Sequence, residues 1–587
     1  MNNDGYASLL EEFGDLLQVV GANGFKVRAF QRAARAISGL PSSIEEAIAA
    51  GTTTDIDGIG KSIAADLAQI KERGSCDALD QLRAELPDDI TELLKIQGLG
   101  PKKVGKIYTE LGIGDIDTLE LAAQEGRLAA LAGFGAKTEE KILKEIERLR
   151  KFTGRTPFAE AWPLAHAMLE QLRSLAEVER AEIAGSLRRR RETVGDLDFV
   201  VASNTPGPVM DAFATGPGVT EVVVKGETKT TVYIGRVSAD LRVVPPEVFG
   251  ATLHHFTGSK EHNIEMRARA LKRGLRVSEW GVFRRTEASM GAGPTEVEEE
   301  LVACHSEEDI FAAVGLPFVP PELREGRGEI AAAEAGELPT LIAVHDIVGD
   351  LHMHTTASDG KATIDEMAAA GAARGLKFLS ITDHSQALTV ANGLNAERLR
   401  EQGAAIDDYN AGEPALRVLK GLEVDILEHG EIDMDADTLE TLDWVVGSVH
   451  SRFNQPADVM TDRLINAVKS GLISAIGHPT GRVIGRRDGY DFDLSAVLDA
   501  CEEMNVALEI NAAPQRLDLN DVMIREVLSR PALWLTINTD AHSTDGLGQM
   551  QFGVGMARRG GAVAHRVLNT LPLDRFLQAR RKPERAL

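Results

Sequence analysis

The chain has 587 residues and a formal net charge of −26, so it is too long for one hydrophobic core and too acidic to bind nucleic acid by bulk charge. It has no run of about 20 apolar residues and no basic-then-apolar N-terminus, which argues against a membrane span or a secretory signal. Cys76, Cys304 and Cys501 match no disulfide framework or zinc spacing. We therefore expect a cytoplasmic protein of roughly three to five domains.

Residues 1–152 are predicted to be helical, with apolar residues at helical spacing in segments such as LLEEFGDLLQVV. Three Gly-apolar-Gly turns precede helices: DGIGKS (57–62), QGLGPKK (97–103) and AGFGAKT (132–138). Glycine lets the backbone approach a ligand, and the free amides of a helix start favour an anion. One such turn is usually a plain loop, but three resemble helix-hairpin-helix elements, which hold the DNA backbone. The glycines predicted to do this are Gly58, Gly60, Gly98, Gly100, Gly133 and Gly135. We place one such domain at 1–85 and a second at 86–152.

Strand-like runs begin after residue 152. AEIAGSL, LDFVVAS, TEVVVKGE and KTTVYIGRVSADLRVV predict a sheet within 153–255, and 256–320 mixes helix and strand. The stretch 321–345 is predicted to be a linker. From 346 to 587, short apolar strands alternate with helices, a pattern typical of a parallel α/β barrel.

Three aspartates in the predicted sheet point to metal chemistry. Asp196 and Asp198 project to one face of a strand, and Asp240 lies on a neighbouring run. Converging carboxylates can hold two Mg²⁺ ions about 4 Å apart for phosphoryl transfer. Gly185 and Ser186 offer backbone and hydroxyl to a triphosphate, and the arginines of 188–191 can neutralise it. The alternative is an ordinary solvated Asp-Leu-Asp on an edge strand.

The segments GSLRRRRETVGDLD (185–198) and HFTGSKEHNIEMR (255–267) resemble the nucleotidyltransferase signature and the nucleotide-closing segment of family X DNA polymerases. The resemblance covers roughly residues 1–320, with a palm at 153–255 and a thumb at 256–320. It implies Mg²⁺ or Mn²⁺ on Asp196 and Asp198, and a role for Asp240 in deprotonating the primer 3′-hydroxyl. It further implies contacts to the nucleotide or its triphosphate from Ser186, Arg189, Gly195 and Asn263, an added nucleotide contact from Lys260, and a place near the template for Arg267.

Two positions depart from the family pattern. His255-Phe256 replaces the usual Tyr-Phe pair that crowds the sugar. Asp66 stands where the animal repair enzymes carry their deoxyribose-phosphate lyase lysine, and a carboxylate cannot form a Schiff base. We therefore expect little borohydride-trapped adduct on a 5′-deoxyribose-phosphate DNA end.

The C-terminal region carries histidines and carboxylates where strand-like runs end. Parallel strand ends converge on one mouth of a barrel, where such folds hold their chemistry. Nine groups are too many for one ion and suit two or three cations such as Mn²⁺ or Zn²⁺. They are His352, His354, Asp359, His384, Glu423, His450, His478, Asp540 and His542. A single histidine there would more often be a core residue, and His345, His429 and His565 keep that interpretation. The run ALEIN (507–511) has no obvious ligand.

Residues 346–570 resemble the polymerase and histidinol phosphatase (PHP) domain. The resemblance implies one metal on His352, His354, Glu423 and Asp540, a second on Glu423, His450 and His478, and a third on Asp359, His384 and His542. It leaves exonuclease, abasic-site and 3′-phosphatase chemistry open. Arg516 is a further candidate for phosphate contact.

Together these motifs predict a multidomain chain: an all-α helix-hairpin-helix region, an α+β nucleotidyltransferase palm with a thumb, and a C-terminal α/β barrel of distorted (β/α)7 type. The expected activities are gap-filling DNA polymerisation in repair and metal-dependent processing of 3′ ends. The expected partners are gapped or nicked DNA and dNTPs, with the protein acting as a monomer. Two alternatives are a nucleotidyltransferase acting on tRNA ends or small molecules and a non-catalytic DNA-end scaffold.

Overall fold

A computed structural model describes residues 3–584 except 39, 41–42, 88–89, 95, 97–98, 132, 152–154, 286–298, 485–486 and 488. The chain forms two compact units, Met1–Gly154 and Arg155–Leu587. No helix in the described part of the chain is long and apolar enough to cross a bilayer.

The first unit is all-helical in its described residues. Its helices are α1 (Asn3–Val19), α2 (Gly24–Ser38), α3 (Ile44–Ala50), α4 (Lys61–Arg73), α5 (Asp77–Ala84), α6 (Ile90–Leu93), α7 (Pro101–Leu111), α8 (Ile116–Gln124) and α9 (Ala136–Lys151). Apolar residues at helical spacing form its core, with Phe13 packed on Phe30 at a ring-centroid distance of 4.2 Å. Helices α4, α7 and α9 begin at the three predicted glycine turns, as the sequence indicates.

The second unit begins with the palm, a mixed sheet with helices on both faces. Its elements are β1 (Thr156–Pro157), α10 (Phe158–Arg173), β2 (Arg180–Ile183), α11 (Gly185–Arg188), β3 (Thr193–Val194), β4 (Asp196–Ala202), α12 (Pro206–Ala214), β5 (Val219–Lys225), β6 (Lys229–Ile234) and β7 (Val237–Val244). The strand order is β2-β4-β7-β6-β5, and only β4 and β7 run parallel. Along β4 the apolar Leu197 and Phe199 pack in the core that α10 and α12 share, so Asp196 and Asp198 take the opposite face.

The thumb follows the palm. It consists of α13 (Phe249–Thr257), α14 (Lys260–Lys272), β8 (Leu275–Ser278), β9 (Gly281–Arg285), β10 (Glu299–Ala303) and α15 (Glu307–Ala313). Its three strands form an antiparallel sheet in the order β10-β9-β8.

The segment 321–345, which the sequence predicts to be a linker, is instead folded. It contains a short 3-10 turn, Pro321–Leu323, and the helix α16 (Glu329–Ala335). Leu323, Arg324, Ile330 and Ala333 are buried in it. The prediction rested on its polar and small residues, but several of these charges have buried partners in the palm, thumb and barrel. We call this segment the connector.

The rest of the second unit is a barrel of seven parallel strands in sequential order. Its elements are β11 (Gly349–Asp350), α17 (Ile364–Ala373), β12 (Phe378–Ile381), α18 (Ala396–Ala411), β13 (Arg417–Asp425), α19 (Ala436–Leu439), β14 (Trp444–Ser448), α20 (Ala457–Lys469), β15 (Ala475–Ile476), α21 (Leu494–Met504), β16 (Ala507–Asn511), α22 (Asp521–Ser529), β17 (Leu535–Asn538), α23 (Met550–Gly560) and α24 (Leu573–Ala579). A parallel bridge between Met353 and Ala541 joins the first strand to the last, so the barrel is nearly closed. All carboxyl ends of the strands therefore open at one mouth.

Candidate active sites

The three palm aspartates come together because β4 and β7 are parallel and in register. Asp198 lies directly opposite Asp240, and Asp196 lies two residues before Asp198 on the same face. The backbone of Gly185 lies against Asp198, where a Cβ would be 1.9 Å from Asp198 Oδ2. The φ of Gly185, +62°, is also one that favours glycine. Only glycine fits this turn.

The electrostatics of the three aspartates suit a bound cation. Burial, followed by the charges of Asp196 and Asp240, raises the pKa of Asp198 to about 8. Burial and the charge of Asp240 also raise the pKa of Asp196. Lys229 Nζ lies 2.7 Å from Asp240 Oδ2, and Thr231 donates a hydrogen bond of 2.6 Å to Asp240 Oδ1. Crowded carboxylates repel one another unless positive charge lies between them, so these residues fit divalent ions.

Gly185 and Gly195 adjoin the aspartates, and Arg189, a predicted triphosphate contact, already has hydrogen-bond partners within the protein. Gly185 and Ser186 begin α11, and Gly195 immediately precedes Asp196. Arg189 is largely buried; it donates to Thr257 O (2.5 Å) and to Glu325 Oε1 (3.1 Å). The sequence shows the arginines but not these partners, because Glu325 lies 136 residues further along the chain.

Arg155 is a basic residue near the palm site that the sequence analysis missed. Its guanidinium donates to Thr193 Oγ1 (2.9 Å) and Thr193 O (2.7 Å) on β3. Its charge also acts to lower the pKa of Asp196. A lone arginine at the start of the palm carries no pattern that would single it out.

The thumb residues form a small polar cluster around His255. Asn263 donates to His255 O (2.9 Å), and Arg267 Nη2 lies 3.4 Å from His255 Nδ1. Lys260 is exposed at the start of α14. Beside them, the guanidinium of Arg242 stacks on Phe256 at 4.8 Å from the ring centroid. The two thumb residues predicted to contact the nucleotide, Lys260 and Asn263, thus lie on the first turn of α14.

The barrel brings all nine predicted metal ligands to its mouth, with Glu423 at the centre. Glu423 Oε1 lies 3.0 Å from His478 Nε2, 3.2 Å from His450 Nε2 and 3.4 Å from His352 Nε2. Glu423 Oε2 lies 2.7 Å from His384 Nδ1 and 3.6 Å from His354 Nε2. The Glu423 carboxylate is 1% exposed and faces five imidazoles, and the charges of His384, His352 and His450 outweigh burial and lower its pKa.

A second cluster lies at the side of the mouth. Asp359 Oδ2 lies 3.4 Å from His542 Nε2 and 3.7 Å from His384 Nε2. His354 joins this cluster as well as the central one, stacking between His384 and His542 at centroid distances of 4.3 Å and 4.2 Å. His354 Nε2 also lies 3.1 Å from Asp540 Oδ1. The geometry therefore places His354 between two of the three ligand groups that the resemblance implies.

The donor set of the mouth fits divalent cations. Two buried ring nitrogens there, His354 Nδ1 and His478 Nδ1, have no hydrogen-bond partner among the described residues, and His352 Nε2 and Glu423 Oε2 make no well-aligned hydrogen bond with the groups near them. Unsatisfied buried donors and acceptors are costly, and coordination to a cation would satisfy them. His478 and Asp540 also have positive φ values, 27° and 54°, a strained backbone typical of functional positions.

Two buried carboxylates that the sequence analysis missed orient the predicted ligands. Glu509, in the strand ALEIN, has Oε1 3.0 Å from His352 Nδ1 and accepts from the His478 amide (2.7 Å). Asp425 Oδ1 bonds His450 Nδ1. A carboxylate on one ring nitrogen directs the other nitrogen to a metal. For Glu509 the available signal was a charged residue in the middle of a buried strand, whereas Asp425 is the last residue of β13.

Arg516 lies beside this site. Its Nε is 3.7 Å from Asp540 Oδ2, and its Nη1 is a buried atom with no hydrogen-bond partner in the part of the chain that the structure describes.

The glycine turns of the first unit leave helix amides uncapped. Gly60 and Gly100 are the N-caps of α4 and α7, and within the described residues neither helix start has a side-chain cap. In contrast, α3 and α8 are capped by Ser43 and Asp115. A Cβ at Gly60, Gly100, Gly133 or Gly135 would meet nothing within 4 Å, so these turns are open to a ligand. Gly58 has a φ of +93°, and Gly98 lies outside the described residues.

Comparison with known proteins matches four family models to the chain. They are a helix-hairpin-helix domain over residues 1–76, a SAM-like helix-hairpin-helix tandem over 90–148, the DNA polymerase beta thumb over 252–325 and the PHP domain over 350–513.

Whole proteins also match. The DNA polymerase/3′-5′ exonuclease PolX of Bacillus subtilis is 40% identical over 568 residues, 96% of this chain and 97% of the relative. A probable phosphatase of Aliivibrio fischeri is 29% identical over 245 residues, 40% of this chain and 92% of the relative. A probable phosphatase of a Thermoanaerobacter species is 28% identical over 238 residues, 38% of this chain and 91% of the relative.

Proposed function

The chain belongs to the bacterial PolX family of DNA polymerases/3′-5′ exonucleases, and from this membership we propose that it fills gaps in damaged DNA and trims 3′ ends at a separate site. The palm adds nucleotides to a primer 3′ end in gapped or nicked DNA, as a step of base excision repair. The barrel hydrolyses 3′-terminal phosphodiesters. We place the protein in the cytoplasm as a monomer, with dNTPs and DNA as its substrates.

In the palm, Asp196, Asp198 and Asp240 would hold Mg²⁺ or Mn²⁺. These ions supply neutralisation of the triphosphate charge and orientation of the reacting oxygens. Asp240 accepts the proton of the primer 3′-hydroxyl, and Lys229 and Thr231 hold the Asp240 carboxylate in place. Ser186, Arg189 and Gly195 bind the triphosphate, and Lys260 and Asn263 contact the nucleotide. Arg267 lies near the template.

In the barrel, the nine mouth residues would hold two or three Mn²⁺ or Zn²⁺ ions, which supply Lewis-acid activation of water and of the phosphate. Glu509 and Asp425 fix the rings of His352 and His450. The unpartnered Nη1 of Arg516 is placed to bind the phosphate beside Asp540.

The observation that carries the proposal is the presence of two convergent ligand sets, one on the palm sheet and one at the barrel mouth. Asp198→Ala should abolish nucleotide addition and spare degradation, while His352→Ala should do the reverse. A time course on 5′-labelled gapped DNA with Mg²⁺ or Mn²⁺, with and without dNTPs, measures both. One substitution that removed both activities from a folded chain would contradict two independent sites.

The two alternatives are less favoured. A transferase for tRNA ends or small molecules does not need helix-hairpin-helix domains, and the chain matches a DNA polymerase along 96% of its length. A non-catalytic scaffold does not need complete ligand sets.

A further inference from the structure

The palm and the barrel pack directly on each other inside the second unit. Phe552 on the barrel helix α23 lies edge-on to Phe158 and Trp162 of the palm helix α10, with ring centroids 5.5 Å and 5.9 Å apart. The guanidinium of Arg190 stacks on the same Trp162 at 4.0 Å. The arginine run of the palm signature therefore lies against α23.

Arg559 on α23 makes three hydrogen bonds, and two of them cross this interface. Its Nη1 donates to Arg189 O (2.6 Å) and to Glu325 Oε1 (2.8 Å), and its Nη2 donates to Asp521 Oδ2 (2.6 Å). The Arg559 side chain is only 3% exposed. A barrel residue thus holds both the backbone of Arg189 and the carboxylate that pairs with the Arg189 side chain.

Glu325 is the shared centre of this network. Its carboxylate is 7% exposed and accepts from Arg189 Nε (3.1 Å), Arg191 Nη1 (3.2 Å) and Arg559 Nη1 (2.8 Å). A buried carboxylate that loses its cationic partners is strongly destabilised. When one of the three arginines leaves Glu325, the destabilisation of the carboxylate depends on whether the other two stay bonded to it.

We propose that Arg559 of the barrel is a positioning residue for the nucleotide site of the palm. The proposal rests on the role given to Arg189 under the proposed function. To bind a triphosphate, Arg189 must turn from Glu325 toward the nucleotide. Arg559 then remains bonded to Glu325 and keeps that carboxylate paired. The hydrogen bond from Arg559 to Arg189 O holds the backbone of Arg189 in place. Without Arg559, the departure of Arg189 leaves the buried Glu325 carboxylate with fewer cationic partners. The free-energy cost of that loss opposes nucleotide binding.

The test is steady-state nucleotide addition by the full chain on gapped DNA. Arg559→Gln should raise the KM for dNTP about tenfold while kcat changes less than about threefold, because the effect is on binding. The 3′-5′ nuclease rate without dNTPs should stay within about twofold, which also shows that the barrel is folded. Arg559→Lys keeps the positive charge and one donor nitrogen, and it should raise KM less.

The matched control is Arg558→Gln, one residue earlier on α23. Arg558 donates to Glu322 (2.7 Å) and to Ile342 O (2.9 Å) of the connector but is not bonded to Arg189 or Glu325. Its dNTP KM should match that of the unsubstituted chain.

A double-mutant cycle separates positioning from general damage. Arg189→Gln should itself raise the dNTP KM, and adding Arg559→Gln should raise it no further, because Arg559 acts through Arg189. Additive effects, an unchanged KM in Arg559→Gln, or an unchanged KM in Arg189→Gln would each overturn the proposal. If the unsubstituted chain added no nucleotide at all, the proposed function itself would fail instead.

Discussion

Gly185 is the residue on which the geometry of the palm site depends most closely. Gly185→Ala should lower nucleotide addition by about 100-fold or more, because its Cβ would push Asp198 away from Asp196 and Asp240 by roughly 1 Å. Primer extension measures this loss, and degradation by the barrel should be unchanged.

The matched control for this substitution is Gly235→Ala. Gly235, in the turn between β6 and β7, also has a positive φ of +58°, but a Cβ there would meet nothing within 4 Å. Equal losses in the two variants would show that backbone strain, and not displacement of Asp198, limits the palm.

Glu509 is the buried carboxylate that fixes His352. Glu509→Gln removes its charge and should weaken Mn²⁺ binding at the barrel mouth by about tenfold or more, as is usual for the partner of a ligating histidine. Titration calorimetry measures this affinity, in a chain that also carries Asp198→Ala so that the palm contributes little heat. The exposed Glu503, on the helix before the same strand, supplies the control Glu503→Gln. An unchanged affinity in Glu509→Gln would remove Glu509 from the site.

Among the elements, the helix α7 illustrates how the glycine turns would hold DNA. Gly100→Asp places a carboxylate where it can cap the free backbone amides at the start of α7. The φ of Gly100 is −76°, a value that any residue adopts. We expect α7 to gain about 0.5 kcal/mol of stability. DNA affinity should fall about tenfold, since the carboxylate repels a phosphate. Fluorescence anisotropy with gapped DNA at low salt and thermal unfolding measure the two effects.

The neutral variant Gly100→Asn separates charge from capping. It should cap α7 in the same way and lose less DNA affinity than Gly100→Asp. If both variants bound DNA like the unsubstituted chain, the amides of α7 would not contact phosphate.

At the scale of single elements, the sequence predicts a helix or strand well where one local hydrophobic periodicity determines the structure. The two-residue period of β4 separates Leu197 from Asp198, and the barrel strands end at the predicted histidines. Prediction from the sequence fails where a charged residue pairs with a residue far away along the chain. The connector was predicted to be a linker because Arg324 and Glu325 look solvated until their palm, thumb and barrel partners are known. Glu509 was missed although its charge stands out in a buried strand, because its partner His352 lies 157 residues away.

For the molecule as a whole, the buried network around Glu325 predicts a loss of stability in acid. Burial alone would raise the pKa of Glu325, but the charges of Arg559, Arg189 and Arg191 outweigh it and lower the pKa to about 2. A depressed carboxyl pKa stabilises the folded state above the unfolded value near 4.5, and this contribution is lost as pH falls from there toward 2.

Glu325→Gln removes this contribution. At pH 7 it should lower the free energy of unfolding by on the order of 3 kcal/mol. The difference between the two chains should shrink below about pH 4.5, which denaturant unfolding at a series of pH values measures. A difference that stayed constant from pH 7 to pH 3 would mean that Glu325 does not titrate with folding.

The last strand nearly closes the barrel, and it also brings the last metal ligands to the mouth. Seven of the nine ligands lie between His352 and His478, but Asp540 and His542 follow β17, the strand that the Met353–Ala541 bridge joins to the first. A nascent chain still attached to the ribosome before residue 540 holds most of the ligands on unclosed strands. The complete set of nine ligands therefore forms only after the chain has been synthesised past residue 542 and the barrel has closed, which delays full loading of the mouth to that point.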